Sequence, residues 1–206
     1  MRREKKDYRP TGIRVGTDVL SIIRSSSSDT FSGWEMNVDV DFNRYYLAVD
    51  VGSWSRDLPS DNDHYTNEGN YFRVGVDVNF LLKDADKNLF FLGARYGRAV
   101  FSEDFTVHVE DPVWGTIDDN YTNTDVSARW FELTSGLKVK IWKIVWFGYT
   151  ARYKFGLSTG NTPLMLPHDV PGYGRTDRES TWGFNYHIFV RLPVRKSSEL
   201  SRKVHQ

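Results

Sequence analysis

His187 is the residue best placed for acid–base work in this chain of 206 residues. It lies in a stretch where large apolar residues alternate with polar ones, on the polar side. Glu132, Asp50 and Asp77 occupy the same side of other stretches. A histidine beside a carboxylate is the minimal general base. No serine stands beside His187 to serve as a nucleophile, so the reading favoured here is a buried histidine satisfied by neighbouring charges. Two acidic groups have the density of a calcium site: Asp57, Asp61, Asp63 and Glu68, then Glu103, Asp104, Glu110, Asp111, Asp118 and Asp119. Neither has the spacing of a twelve-residue calcium loop, which favours solvated charge. His64, His108 and His168 lack the spacing of metal ligands. With no cysteine, disulfides, thiolate catalysis and thiolate metal ligation are excluded. No catalytic residue, metal or cofactor is expected.

The elements that carry these residues alternate with period 2, the pattern of a strand with two unlike faces. Trp34, Met36, Val38, Val40 and Phe42 face one way; Glu35, Asn37, Asp39 and Asp41 face the other. After Asn43-Arg44 the apolar face resumes at Tyr45, Leu47, Val49 and Val51, so a two-residue hairpin loop keeps Phe42 and Tyr45 on one side. The same logic predicts strands over 12–23, 71–82, 89–101, 126–141, 145–158 and 181–194, making eight.

Arg98 is the one charge found on the apolar faces. The polar faces carry glycines and both signs of charge: Arg14, Arg73, Arg95, Lys138, Lys140, Arg152, Lys154 and Arg191 against Asp18, Glu35, Asp39, Asp41, Asp50, Asp77 and Glu132. A charge at mid-bilayer costs about 2–4 kcal/mol, so a greasy face kept free of charge is what lipid contact imposes. The polar set predicts a ladder inside a barrel, which at eight strands is only wide enough for side chains to fill. The whole chain has 27 Lys plus Arg and 27 Asp plus Glu, so net charge gives no reason to expect a nucleic-acid partner.

Connections alternate in length. Those at 43–44, 83–88 and 142–144 are short; those at 24–33, 55–70, 102–125 and 159–180 are long and polar. Short periplasmic turns and long outer loops are the outer-membrane pattern. The expected fold is therefore all-β: an eight-stranded antiparallel up-and-down transmembrane barrel over 12–194, with a periplasmic segment at 1–11 and a basic tail at 195–206. No apolar run reaches the ~18–20 residues of a membrane-spanning helix. Met1-Arg-Arg-Glu-Lys-Lys6 is not an export signal, so one is expected to have been removed or to lie before this start. The competing architecture is a soluble lipocalin-like barrel with the greasy face inward around an apolar ligand.

Aromatics make up 15% of the chain. Trp34, Trp182 and Tyr149 toward strand ends, with Trp142 and Trp146 by a short turn, read as anchors where lipid meets water. In the last long loop Pro163, Pro167 and Pro171 precede Gly172-Tyr173-Gly174. Three prolines stiffen an exposed loop, which suits either a projection that binds a partner or a cap over the barrel mouth.

Thr181-Trp-Gly-Phe-Asn-Tyr-His-Ile188 resembles the terminal-strand signal read by the outer-membrane assembly machinery, although residues 195–206 follow it. Arg73-Val-Gly-Val-Asp-Val-Asn-Phe80, Leu92-Gly-Ala-Arg-Tyr-Gly97, Ala128-Arg-Trp-Phe-Glu-Leu133, Gly136-Leu-Lys-Val-Lys-Ile-Trp142, Pro171-Gly-Tyr-Gly174 and Trp182-Gly-Phe-Asn-Tyr186 resemble a family of small outer-membrane barrels of unknown function. That family belongs to Bacteroides-type Gram-negative bacteria and has an OmpA/OmpX-like architecture. The resemblance covers about 12–194 and implies a barrel and a location, with no catalytic residues. The expected role is structural or accessory: contact with outer-membrane lipid and lipopolysaccharide, and binding of another envelope protein through loops or wall. The alternatives are a lipid-modifying enzyme and a surface adhesin. A filled lumen argues against a general porin.

Overall fold

A computed structural model describes residues 8–60, 63–81, 84, 86–111, 115–160 and 166–194. Eight strands close into an antiparallel ring, each paired with its neighbour in the chain and the last with the first. In chain order the elements are β1 (Gly12–Asp18), helix α1 (Val19–Ser27), β2 (Phe31–Phe42), β3 (Tyr45–Pro59), β4 (Asp63–Asn79), β5 (Leu89–Asp111), β6 (Gly115–Trp142) and β7 (Val145–Gly160). A small hairpin follows, β8 (Asp169–Val170) and β9 (Gly174–Arg175), and then the closing strand β10 (Ser180–Pro193). The up-and-down barrel expected from alternation is thus the observed fold. Of the expected periplasmic segment at 1–11, residues 1–7 lie outside the described residues, as does the whole basic tail, 195–206.

The greasy faces point outward. Leu133, Ile141, Trp182 and Leu192 are each more than half exposed, while Asp50, Asp77, Arg73 and Glu132 are buried inside. A lipocalin-like barrel would have the reverse arrangement, so that alternative is overturned.

Three elements differ from the sequence reading. The first expected strand, 12–23, stops at Asp18. Val19 and Ile23 are four apart, which serves a helix as well as a strand, and α1 takes them. Asp18 makes the switch: its carboxylate accepts the Tyr186 amide (3.0 Å), the Asn185 side chain (3.0 Å) and the Ser21 hydroxyl (2.8 Å). The Tyr186 amide is thereby paired without a further β1 residue. Second, the segments expected as loops at 55–70 and 102–125 are mostly strand, because β3–β4 and β5–β6 run on as long hairpin arms beyond the apolar band. Third, Gly156 adopts φ +67 beside a register shift between β6 and β7. The shift turns Leu157, expected on the outer face, against an internal cluster of Tyr71, Phe101 and Trp130.

The inward glycines make room for rings. A Cβ at Gly148 would lie 2.6 Å from Phe189, and one at Gly97 would overlap the Trp130 indole. Large inward side chains lying across a neighbouring strand's glycine let a narrow barrel be filled.

Candidate functional site

The lumen is stacked in layers. At the short-turn end Tyr46, Leu89 and Phe91 cluster, with buried Trp146 and Phe189. At the other end Tyr71, Ala99, Phe101, Val126, Ala128, Trp130, Val170 and Tyr173 form a second apolar cluster. Between them lies the charge network. Removing ions from water is costly unless each is paired and hydrogen-bonded, and here nearly every charge meets its opposite.

Arg152 on β7 donates to Glu132 (3.0 Å) and, across the lumen, to Asp50 on β3 (3.2 Å). Its Nε donates to Asn185 (2.6 Å). Arg73 on β4 donates to Glu35 and lies 3.6 Å from Glu132. Arg95 donates to Asp77 at 2.7 Å. One layer nearer the short turns, Lys138 on β6 donates to Asp39 on β2 (2.7 Å), which also accepts from Arg14 (2.8 Å). In the ring order β7 and β3 are four strands apart, and so are β6 and β2. Arg152–Asp50 and Lys138–Asp39 therefore span the full diameter of the barrel. The expected ladder is present and cross-linked.

His187 is 1% exposed and stacks on Phe189. Its nearest acid is Glu35, with Nε2 3.5 Å from Oε1, and neither ring nitrogen makes a hydrogen bond. Glu35, Asp50 and His187 bring possible ligand atoms within 4.8 Å of one another. Arg73 and Arg152 already contact both carboxylates, so guanidinium groups supply the positive charge there.

The rim residues part from the ladder. Arg191 pairs with Asp41 at 3.0 Å near the short-turn end. Lys140, expected inside, is exposed and pairs with Asp86 at the turn (2.9 Å). Lys140 keeps the inward parity, opposite Trp146, but lies at the solvent-open rim.

Within the 159–180 connection, residues 167–173 fold back into the mouth. Pro167, Pro171, Gly172 and Tyr173 are buried, Gly174 is half-buried, and Pro163 lies outside the described residues. Lys154 donates to the carbonyls of Gly172 (2.8 Å) and Tyr173 (2.9 Å), and Arg56 pairs with Asp169 (2.8 Å). Of the two readings of this loop, the cap holds and the projecting platform of Pro167 to Tyr173 does not. Beneath it Tyr65 donates to Glu103 (2.9 Å), which also accepts from Asn123 (3.0 Å). Burial, then the Glu103 charge, push the Tyr65 phenol well above its usual range. Glu103 is thus buried in the mouth, a correction to its place in a solvated acidic loop.

Among the aromatics, Trp34, Trp142 and Trp182 are exposed on the wall, and Tyr149 stacks there with Phe184. Trp146 is a correction. It is 2% exposed and faces inward, 5.2 Å under the Arg14 guanidinium. Val145 and Phe147 point out, so the residue between them points in. The sequence reading also missed Arg129, which faces outward directly opposite Arg98. The parity of Phe131 and Leu133 marks it.

The family model described as "Domain of unknown function (DUF6048)" matches residues 2–197. No curated protein matches. Among solved structures, the crystal structure of Acinetobacter baumannii CarO aligns with 92% of this chain and 100% of that chain, at 11% identity and a TM-score of 0.39. At that score the likeness carries no statement about function. The chain belongs to the DUF6048 family.

Proposed function

We propose that this member of the DUF6048 family is an integral outer-membrane barrel with a structural or accessory role, one that binds another envelope protein. The observation that carries the reading is the inverted burial: diametric charge bridges inside, and a wall of Leu133, Ile141, Phe184 and Trp182 outside. Water outside would leave that wall a very large exposed apolar patch, whereas lipid makes it the favourable face. Closure of the eight wall strands into one ring supports the same reading, since a bilayer does not tolerate open sheet edges.

The role is non-catalytic. His187 is sealed between two apolar layers, so a lipid substrate has no approach to it, and lipid A chemistry should be unchanged in a His187→Ala cell. A partner meets either the wall or the β3–β4 and β5–β6 arms, because residues 167–173 of the fourth long connection are folded into the mouth. The adhesin alternative would use the same arms.

The deciding experiment is heat-modifiability of the membrane-extracted protein on a denaturing gel, alongside fractionation. A boiled-versus-unboiled shift, with the protein in the outer-membrane fraction, is the expected result. A soluble protein without a shift would overturn the reading. Exchange of the two hairpin arms, followed by cross-linking pull-down, then separates binding by arms from binding by wall.

A further inference from the structure

Arg98 on β5 and Arg129 on β6 are directly opposed across the strand pair, and both are exposed on the outer face. Like charges directly opposite one another destabilise a sheet. Neither guanidinium has a carboxylate among its outward neighbours: Tyr96, Val100 and Phe72 flank Arg98, and Phe131, Ser127 and Ser158 flank Arg129. Two guanidinium groups side by side on the outer wall, with no carboxylate partner among the described residues, call for an anion from outside the protein.

Their height identifies which anion. From Phe90, low on β5, to Arg98 the strand rises about 26 Å, or about 20 Å along the axis at a typical strand tilt. That places the pair at the far margin of an apolar band about 25 Å tall. Just below it the rings of Tyr96 and Phe131 meet edge to face at 5.7 Å, as aromatics do where hydrocarbon gives way to headgroups. The long connections lie on this side, so on the outer-membrane reading, on which this inference rests, the pair stands at the headgroups of the outer leaflet.

We propose that Arg98 and Arg129 form a binding site for the phosphate of an outer-leaflet glycolipid. The planar fork of arginine matches phosphate oxygens two at a time, and two forks on adjacent strands grip one phosphate from both sides. The phosphate cancels the repulsion across the strands, and the lipid's acyl chains lie along Tyr96, Phe131 and Leu133.

The test uses the full chain, refolded in detergent and examined by native mass spectrometry with bisphosphorylated lipid A, with the same lipid stripped of phosphate, and with excess inorganic phosphate as competitor. Wild type should retain bisphosphorylated lipid A at least about tenfold better than the Arg98→Gln/Arg129→Gln double variant, from the loss of charge-assisted hydrogen bonds. An Arg98→Lys/Arg129→Lys variant should fall between, and dephosphorylated lipid should not discriminate among the three. Equal retention by wild type and the glutamine variant would overturn the site, and displacement of the lipid by inorganic phosphate would make it a free-anion site. The glutamine variant should keep the heat-dependent gel shift. Loss of the shift in wild type itself would remove the membrane reading, whereas a normal shift with unchanged lipid retention would remove only this site.

Discussion

Lys154 on the barrel wall holds Gly172 in the cap: its ammonium donates to the Gly172 carbonyl at 2.8 Å and to the next carbonyl, Tyr173, at 2.9 Å. The cap is therefore tied through its backbone, and a shorter or apolar side chain would leave buried carbonyls unpaired at about 1–3 kcal/mol each. Lys154→Met should loosen the cap while leaving the ring closed. Limited proteolysis between 166 and 179 in detergent should be much faster than in wild type, with the heat-dependent gel shift retained. Unchanged protection would mean that Arg56–Asp169 and the Tyr173 packing suffice.

Arg152 anchors a bridge across the lumen. Arg152→Met would leave Asp50 and Glu132 short of a buried partner, at about 3–5 kcal/mol. The temperature at which the folded band converts to the unfolded one should fall clearly. Adding Asp50→Asn should restore part of the loss, because it removes one of the stranded charges. A double variant no better than the single would show that the bridge is not the relevant interaction.

Gly97 and Gly160 separate ring packing from ordinary glycine effects. Alanine at 97 would collide with Trp130 and should cost about 1–3 kcal/mol. At 160 the added methyl meets only Ser127 Oγ at 3.4 Å, so Gly160→Ala should be close to neutral. Equal unfolding temperatures for the two variants would contradict the packing described for the lumen.

Tyr65 supplies a pH dependence. Its phenol is held neutral in the folded chain by burial and by Glu103, above the ordinary value of 10.0. The unfolded chain then gives up its proton first as pH rises. The stabilisation is complete below pH 10, and declines above it toward the higher folded value. Tyr65→Phe should be less stable than wild type near neutrality, having left Glu103 short of a donor, and should lose less on passing pH 10. Parallel alkaline unfolding profiles would exclude the effect.

The parts of the fold legible in the sequence are those where lipid and lumen impose unlike demands on alternate residues. Trp34 beside Glu35, or Leu133 beside Glu132, declares its face with no help from the rest of the chain. Beyond the apolar band that demand ends, and Thr122 or Asn123 suits a strand arm as well as a loop. Val19 and Ile23 fit two periods, and only the carboxylate of Asp18, taken up by Tyr186, decides between them. Trp146 was open to a correct reading from the parity of its neighbours. The capping fold of 166–179 was not, since its anchors Arg56 and Asn67 are 113 and 102 residues from Asp169 along the chain.

β1 has seven residues, whereas β4 has 17. It is also the strand that joins the two ends of the chain into a ring. Above Asp18 no β1 residue lies between β2 and β10; there α1 leans on β2, with Ser25 accepting the Gly33 amide and donating to the Gly33 carbonyl, both at 2.7 Å. A cylinder whose wall is otherwise stitched by long ladders thus has one short stitch. The ring should come apart there first, and close there last during insertion. Amide hydrogens of β1 should exchange ahead of those in β4 and β5, although all three strands belong to the same continuous wall.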